Sequence, residues 1–404
     1  GGLRASLFSS SITPFLKENA NAINLENQDL QKAMYDYDSN VNRQWLIIRM
    51  SMLEEKVNPA IKMLFSLIKT VDFSDLDRLT DLLIEYKNDY DSSIIDMGHS
   101  YAITRSSCKM NRAQCIDEIW NGLTQLFDLH SQDFAKENIK NLKENLERIH
   151  NVVINSGFIA HITAEKSGIE KSKSCLESEL KNFDLYKGKV KPPYLTSDEE
   201  FYALTNIQGE NEAVEHFVVS SQVGFMAKVF KSSPIGTKES VLESIFAHWL
   251  SNKVLWEQLR TIGGCYGAFA SVDLVENVFS LATYRDPNPI KSKEVLEFIF
   301  DNIEKWELDE TEFDRIKTGC YSKEIQPRSP YGRANIEFIR SLCGITYESR
   351  LEKLSNLLNS SLTELVEVSK SICERSKDSK SVIIFSKTEE NAGKFIELIT
   401  RDLH

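Results

Sequence analysis

Apolar positions along the chain follow two rhythms. At Leu3, Ala5 and Leu7 they recur every second residue, which predicts a strand with one buried face. From 45 to 90 the period is helical: Leu53, Val57, Ile61, Leu64, Phe65 and Ile68 form one stripe, continued by Leu76, Leu79, Leu82 and Leu83 between Asp75 and Asp89. A further helix is expected from about Asn111 to Leu129, then a charged helix over 133–150 and a β-rich segment from Val152 to Thr163. In the second half, Ala213–Phe230 is strand-like. Val241–Leu259 is a strong helix with Val241, Leu242, Ile245, Phe246, Trp249 and Leu250 on one face. Tyr266–Leu274 and Val278–Tyr284 predict two strands joined by a hairpin turn. Helices over 292–325 and 330–376, a last strand Ser381–Ser386 and a terminal helix complete the pattern.

Between these halves the composition changes. Residues 166–200 turn Lys- and Ser-rich and run into Lys-Gly-Lys-Val-Lys-Pro-Pro, where Pro192 and Pro193 lack ladder donors and stiffen the chain. A linker over 169–198 is the simplest reading. Ile159–Glu165 before a helix echoes Ile383–Glu389 before a helix, so each half ends alike. The expected fold class is α+β: two tandem domains, 1–168 and 199–404, each an antiparallel-rich sheet packed with helices.

Charge and cysteine usage narrow the function classes. With 404 residues there is room for more than one core, and 48 Lys+Arg against 60 Asp+Glu leave a net charge of −12. That balance argues against a nucleic-acid partner, which needs a basic face. No apolar run approaches the ~18–20 residues of a membrane span, and no signal peptide opens the chain. The Gly-Gly start without Met suggests a piece of something longer. Cys108, Cys115, Cys175, Cys265, Cys320, Cys343 and Cys373 form no C-x-x-C pair and read as small buried hydrophobes, which suits a reducing compartment, cytosol or organelle matrix.

No complete catalytic set is visible. None of the seven histidines stands in an H-E-x-x-H or H-x-x-E-H frame, and the nucleophile-elbow, P-loop and dinucleotide patterns are missing. His161 and Glu165 read as a structural pair. The densest signal is Leu259-Arg-Thr-Ile-Gly-Gly-Cys-Tyr-Gly-Ala268, at the end of the long helix. Arg260 sits in its last turn, Gly263 and Gly264 allow a reversal with positive φ, and Tyr266 opens the next strand. A guanidinium and a phenol at such a junction are able to hold a peptide carbonyl and the oxyanion it becomes. On the residues alone, a capped helix with a surface Arg is the commoner arrangement. A second cluster, Tyr284-Arg-Asp-Pro-Asn288, ends a strand in a turn; Arg285 and Asp286 pair with each other, with substrate termini, or only with solvent.

In order and spacing these clusters resemble the C-terminal half of the pitrilysin/insulinase family of zinc metallopeptidases, closest to its presequence-protease branch, which includes falcilysin-like enzymes. Leu255–Gly267 fits the branch pattern L-x-x-x-x-R-x-x-G-G-A-Y-G with Cys265 for Ala. Thr283–Asn288 fits S-Y-R-D-P-N with Thr for Ser. Asp96–Arg105 resembles D-x-G-H-x-Y-A-x-x-R, in which His99 reads as a hydrogen-bonded structural residue.

The resemblance implies two pitrilysin-type domains, the third and fourth of a clam-shell enzyme. Its zinc site lies in an N-terminal half that this chain does not carry. It implies Arg260 and Tyr266 as residues that fix and polarise substrate carbonyls, with Tyr284 and Arg285 binding substrate. No metal is expected in this chain; zinc belongs to the complete enzyme, where it activates water for peptide hydrolysis. The implied partners are the N-terminal catalytic half of the same protein and unstructured oligopeptides, basic ones being favoured by the net charge, with neither nucleic acid nor membrane. The chain alone is expected to be inactive. The other reading is a non-catalytic scaffold subunit of the same fold, paired with a catalytic partner.

Overall fold

The computed structural model describes residues 2–9, 44–155, 159–181, 213–386 and 395–399, the first and last of these segments by their backbone. Near-continuous apolar runs demand cover on both faces of a strand. Strand β4, Gly224–Lys231 in our numbering, is buried at every position but its last, and it lies inside a six-stranded sheet. The strands preceding it are β1 (Gly2–Ser9), β2 (Gln44–Ser51) and β3 (Val214–Val219); those following are β5 (Gly267–Asp273), β6 (Val278–Asp286), β7 (Lys380–Phe385) and β8 (Phe395–Ile399). The sheet order is β5-β6-β4-β7-β3-β8. The pairings from β5 to β7 are antiparallel, and β3 runs parallel to both its neighbours.

Period-two alternation sorts the sheet's side chains between two layers of helix. Phe225 and Ala227, Ala282, and Val382 and Ile384 face one side. There they meet Tyr90, Ile94, Tyr101 and Ala102 of the long helix α2 (Leu76–Ser107) and Leu123, Leu126 and Leu129 of α4 (Leu123–Ser131). Between these helices lies α3 (Arg112–Asn121). Met226, Phe230, Phe279, Leu281, Ile383 and Phe385 face the opposite layer. Its helices are α7 (Lys238–Trp249), α8 (Pro289–Asp301), α9 (Glu310–Glu324), α11 (Tyr347–Leu358) and α12 (Leu362–Arg375), while α10 (Pro330–Leu342), between α9 and α11 in the chain, meets Arg49 and His161 of the first half through Asn335 and Phe338. The fold is α+β and antiparallel-rich, as expected. The sheet is a middle layer, and α2, from the first half of the chain, covers the sheet of the second.

Contact across that layer is close because of one glycine. Helix α2 is kinked at Met97 (φ −120°, ψ 16°), and the next residue, Gly98, rests on Phe225. A Cβ at Gly98 would stand 2.2 Å from the Phe225 ring, closer than any real contact.

Toward the N-terminus, β1 and β2 form a two-stranded antiparallel sheet. Beside it α1 (Val57–Lys69) and α6 (Lys166–Lys181) share a small core of Val57, Ile61, Phe65 and Cys175. Helix α6 occupies the start of the stretch expected as linker; 182–198, with Pro192 and Pro193, lies outside the described residues.

Three expected elements differ. The helical reading from residue 45 fails because Trp45, Ile47 and Ile48, good strand formers, belong to β2. The expected strand at Val152 is the last turn of α5 (Lys136–Asn155): its three β-branched residues continue an established helix. No strand is formed at 159–163. In place of the terminal helix, 395–399 adds β8 to the sheet edge, while 387–394 and 400–404 lie outside the described residues.

Candidate functional site

The long helix ends differently from the expected α-helix. Thr237 caps the start of α7 by accepting the Ser240 N–H at 3.2 Å. Beyond Trp249 the winding loosens into π-helix over Leu250–Val254 and Trp256–Ile262, a form often found at functional positions. Where it loosens, Ser251 Oγ accepts the Ala270 N–H at 2.8 Å and lies 2.8 Å from the Ala247 carbonyl, tying the helix to edge strand β5. The helix stops on a left-handed glycine, Gly264 (φ +81°). Gly264 N–H donates to the Arg260 carbonyl at 3.0 Å and Cys265 N–H to the Leu259 carbonyl at 3.0 Å. This is a Schellman-type end widened by one residue, as the π-winding requires. Gly263 is needed for another reason: a Cβ there would lie 2.6 Å from the Leu259 carbonyl oxygen.

This stop presents two polar side chains to solvent. Arg260 lies with its guanidinium carbon 3.9 Å from the Trp256 ring centroid, a cation–π contact one turn back. It has no carboxylate partner among the described residues. Tyr266 is 67% exposed, and its hydroxyl has no hydrogen-bond partner among the described residues. The two do not bond each other; they leave opposite ends of one turn, Arg260 toward Trp256 and Tyr266 toward β6.

Tyr266, Tyr284 and Arg285 are brought together. Tyr266 N–H donates to the Arg285 carbonyl at 3.3 Å, and the Tyr266 and Tyr284 rings meet edge-on, centroids 5.9 Å apart. Arg285 adopts φ +48°, a left-handed backbone rare outside glycine, where β6 and β4 shift register. Its Nη2 reaches Asp96 Oδ1 of α2 at 3.2 Å, and both groups are exposed. Of the pairings open to Arg285 in the sequence, the one with Asp286 is not made. The left-handed step turns Asp286 inward, fully buried, where its Oδ1 accepts the Asn288 N–H at 2.8 Å. Beneath lies Cys265, 3.7 Å from the Ser292 hydroxyl; burial first, then the nearby Asp286 charge, pushes its thiol up to about 12. It is an inert packing group rather than a nucleophile.

Sequence reasoning did not single out Trp256 or the Asp96–Arg285 bridge. Trp256 carries a legible signal, an aromatic four residues before Arg260 on one helix. The Asp96 bridge spans 189 positions and has none. No group of three or more His, Cys, Asp or Glu among the described residues is placed to hold a metal ion. The described residues therefore do not fit a zinc site.

Comparison with known proteins now gives this geometry a context. The family described as peptidase M16 (subfamily C) associated matches residues 29–131, and the PreP C-terminal domain matches 214–389. The chain belongs to the pitrilysin/insulinase peptidase family and corresponds to its C-terminal half. It is 24% identical to an uncharacterized protein of Borreliella burgdorferi, over 97% of this chain and 41% of that one. It is also 24% identical to the chloroplastic/mitochondrial presequence protease 1 of Arabidopsis thaliana, over 81% and 29%. The chain thus spans well under half the length of these relatives. Among solved structures, pitrilysin aligns over 98% of this chain and 42% of its own, with a TM-score of 0.52 at 12% identity, which shows a shared fold.

Proposed function

We propose that this chain is the substrate-holding half of a zinc-dependent metalloendopeptidase that degrades unstructured oligopeptides, the zinc being held by an N-terminal half of the same protein. In this reading Arg260 and Tyr266 hold and polarise peptide carbonyls, while Tyr284 and Arg285 bind the substrate alongside. The tandem division into a first and a second domain belongs to the same proposal, with α6 (Lys166–Lys181), expected as the start of the linker, counted in the first domain. So does a reducing compartment, cytosol or organelle matrix; the names of the presequence-protease relatives, and the lack of any disulfide among the described cysteines, support it.

The observation that carries the proposal is the placing of two solvent-exposed donors, Arg260 and Tyr266, on either side of one helix stop. A guanidinium and a phenol left without hydrogen-bond partners among the described residues, on an exposed rim backed by Trp256 and Tyr284, are pre-set to receive an acceptor such as a peptide carbonyl. The test is Tyr266→Phe in the full-length protein: peptide turnover should fall by about 10²–10³ with the melting temperature unchanged, as for loss of one transition-state donor. Unaltered kcat and kcat/KM would favour the scaffold reading instead. Isolated, the chain should cleave no fluorogenic peptide.

A further inference from the structure

The segment Asp96–Arg105 takes no part in the proposed carbonyl contacts, yet its residues are tied to the site and the sheet. Asp96 bridges to Arg285, Gly98 rests on Phe225, and Arg105 forks onto Glu215 of β3. Between them, His99 meets the Tyr284 ring with centroids 4.9 Å apart at 76°, and the Phe269 ring at 5.7 Å and 89°. Both contacts are edge-to-face, the favoured arrangement for aromatic rings.

The hydrogen bonds of His99 explain little of its placement. Its Nε2 has only a 3.4 Å contact with its neighbour Ser100, and its Nδ1 is buried with no partner among the described residues. The expectation of a hydrogen-bonded structural histidine is corrected accordingly: ring packing holds it. Burial also lowers its pKa, so the ring that Tyr284 meets is neutral near neutral pH.

We propose that His99 is a positioning residue: it fixes the Tyr284 ring, and with Asp96 tethering Arg285 it sets the end of β6 against Tyr266. The consequence for peptide binding rests on the reading above, that Tyr266, Tyr284 and Arg285 form the peptide-holding face. The kink at Met97 is what makes this reach possible, since it re-aims α2 between Asp96 and His99. Tyr284 also touches Phe225, the residue under Gly98, so helix, strand and site form one continuous set of contacts.

The test uses the complete protein with 3-fluorotyrosine incorporated, the Tyr284 resonance being assigned by Tyr284→Phe. His99→Ala should shift and broaden that ¹⁹F resonance and raise KM for an oligopeptide about five- to tenfold with kcat within about twofold. His99→Phe, which retains a ring edge, should restore both. Asp96→Asn, on an exposed side chain with no folding risk, should raise KM by about twofold. An unmoved resonance in His99→Ala overturns the positioning role, as does equal impairment of the Ala and Phe variants. A moved resonance with kcat and KM both unchanged in His99→Ala, Tyr266→Phe and Tyr284→Ala alike supports the positioning and overturns the peptide-holding reading.

Discussion

Two arginines of this chain are put to opposite uses. Arg105 is buried between α2, α3 and β3. Its Nε and Nη2 fork onto both oxygens of Glu215 at 2.9 and 2.7 Å, and Nη1 reaches Glu118 at 3.4 Å and the Thr124 hydroxyl at 3.2 Å. Arg260 stands at a helix stop with an indole for a neighbour and no carboxylate among the described residues. In the first, charge is consumed in joining the helical layer to the sheet; in the second, it is left available. An arginine saturated by buried carboxylates joins two layers, whereas an exposed, hydrated one is free to meet a ligand, as we propose for Arg260.

The sharpest way to break this contrast is to remove each in turn. Arg105→Met strands two buried carboxylates, and losing one partner of such a cluster costs about 3–5 kcal/mol. The denaturation midpoint should fall steeply; a loss below about 1 kcal/mol would mean that water already satisfies the cluster. Arg260→Ala should do the reverse. Its only described partner is Trp256, and an exposed cation–π contact is worth about 0.5–1 kcal/mol, so the midpoint should hardly move. Turnover of the full-length protein should drop by about 10² or more, as for a lost donor to a developing oxyanion. If both variants lower stability alike, the two arginines are not different in kind.

A smaller effect tests how the layers meet. Gly98→Ala drives a methyl into Phe225, which has no room to retreat in the sheet centre; overpacking of this sort costs about 1–3 kcal/mol. The contact also lies next to His99, so the variant should raise KM along with unfolding. A fully stable protein with raised KM would separate the joint from the site.

How much of this was legible follows from which interactions are local. The hairpin of β5 and β6, the helix stop at Gly263 and Gly264 and the positions of Arg260 and Tyr266 rest on short-range rules of turn and cap, and the sequence carries those. The π-winding after Trp249 was not visible, because it depends on Ser251 bonding across to Ala270. Trp45, Ile47 and Ile48 fit either rhythm until β1 is present as a partner, while Val152 to Ile154 were drawn into helix by the turns before them. The inward turn of Asp286 depends on a left-handed Arg285 that no sequence rule anticipates. The covering of the second sheet by α2 was hidden because a helix stripe tells what is buried and not against what.

The mildest prediction concerns the pH response of the buried joint. Glu118 is fully buried, and desolvation pushes its carboxyl up to about 7 in spite of Arg105 and two hydrogen bonds from Thr124. A folded pKa above the unfolded value means that the native state holds this proton more tightly than the unfolded chain. The contribution to stability is therefore complete below the ordinary carboxylate range and is lost as pH rises through about 7. Between pH 6 and 8 the wild-type protein should lose on the order of 1 kcal/mol through this group. Glu118→Gln keeps an acceptor for Thr124 but cannot titrate, so its melting temperature should vary less over that interval. Parallel profiles for the two proteins would show that Glu118 is ionised throughout that interval.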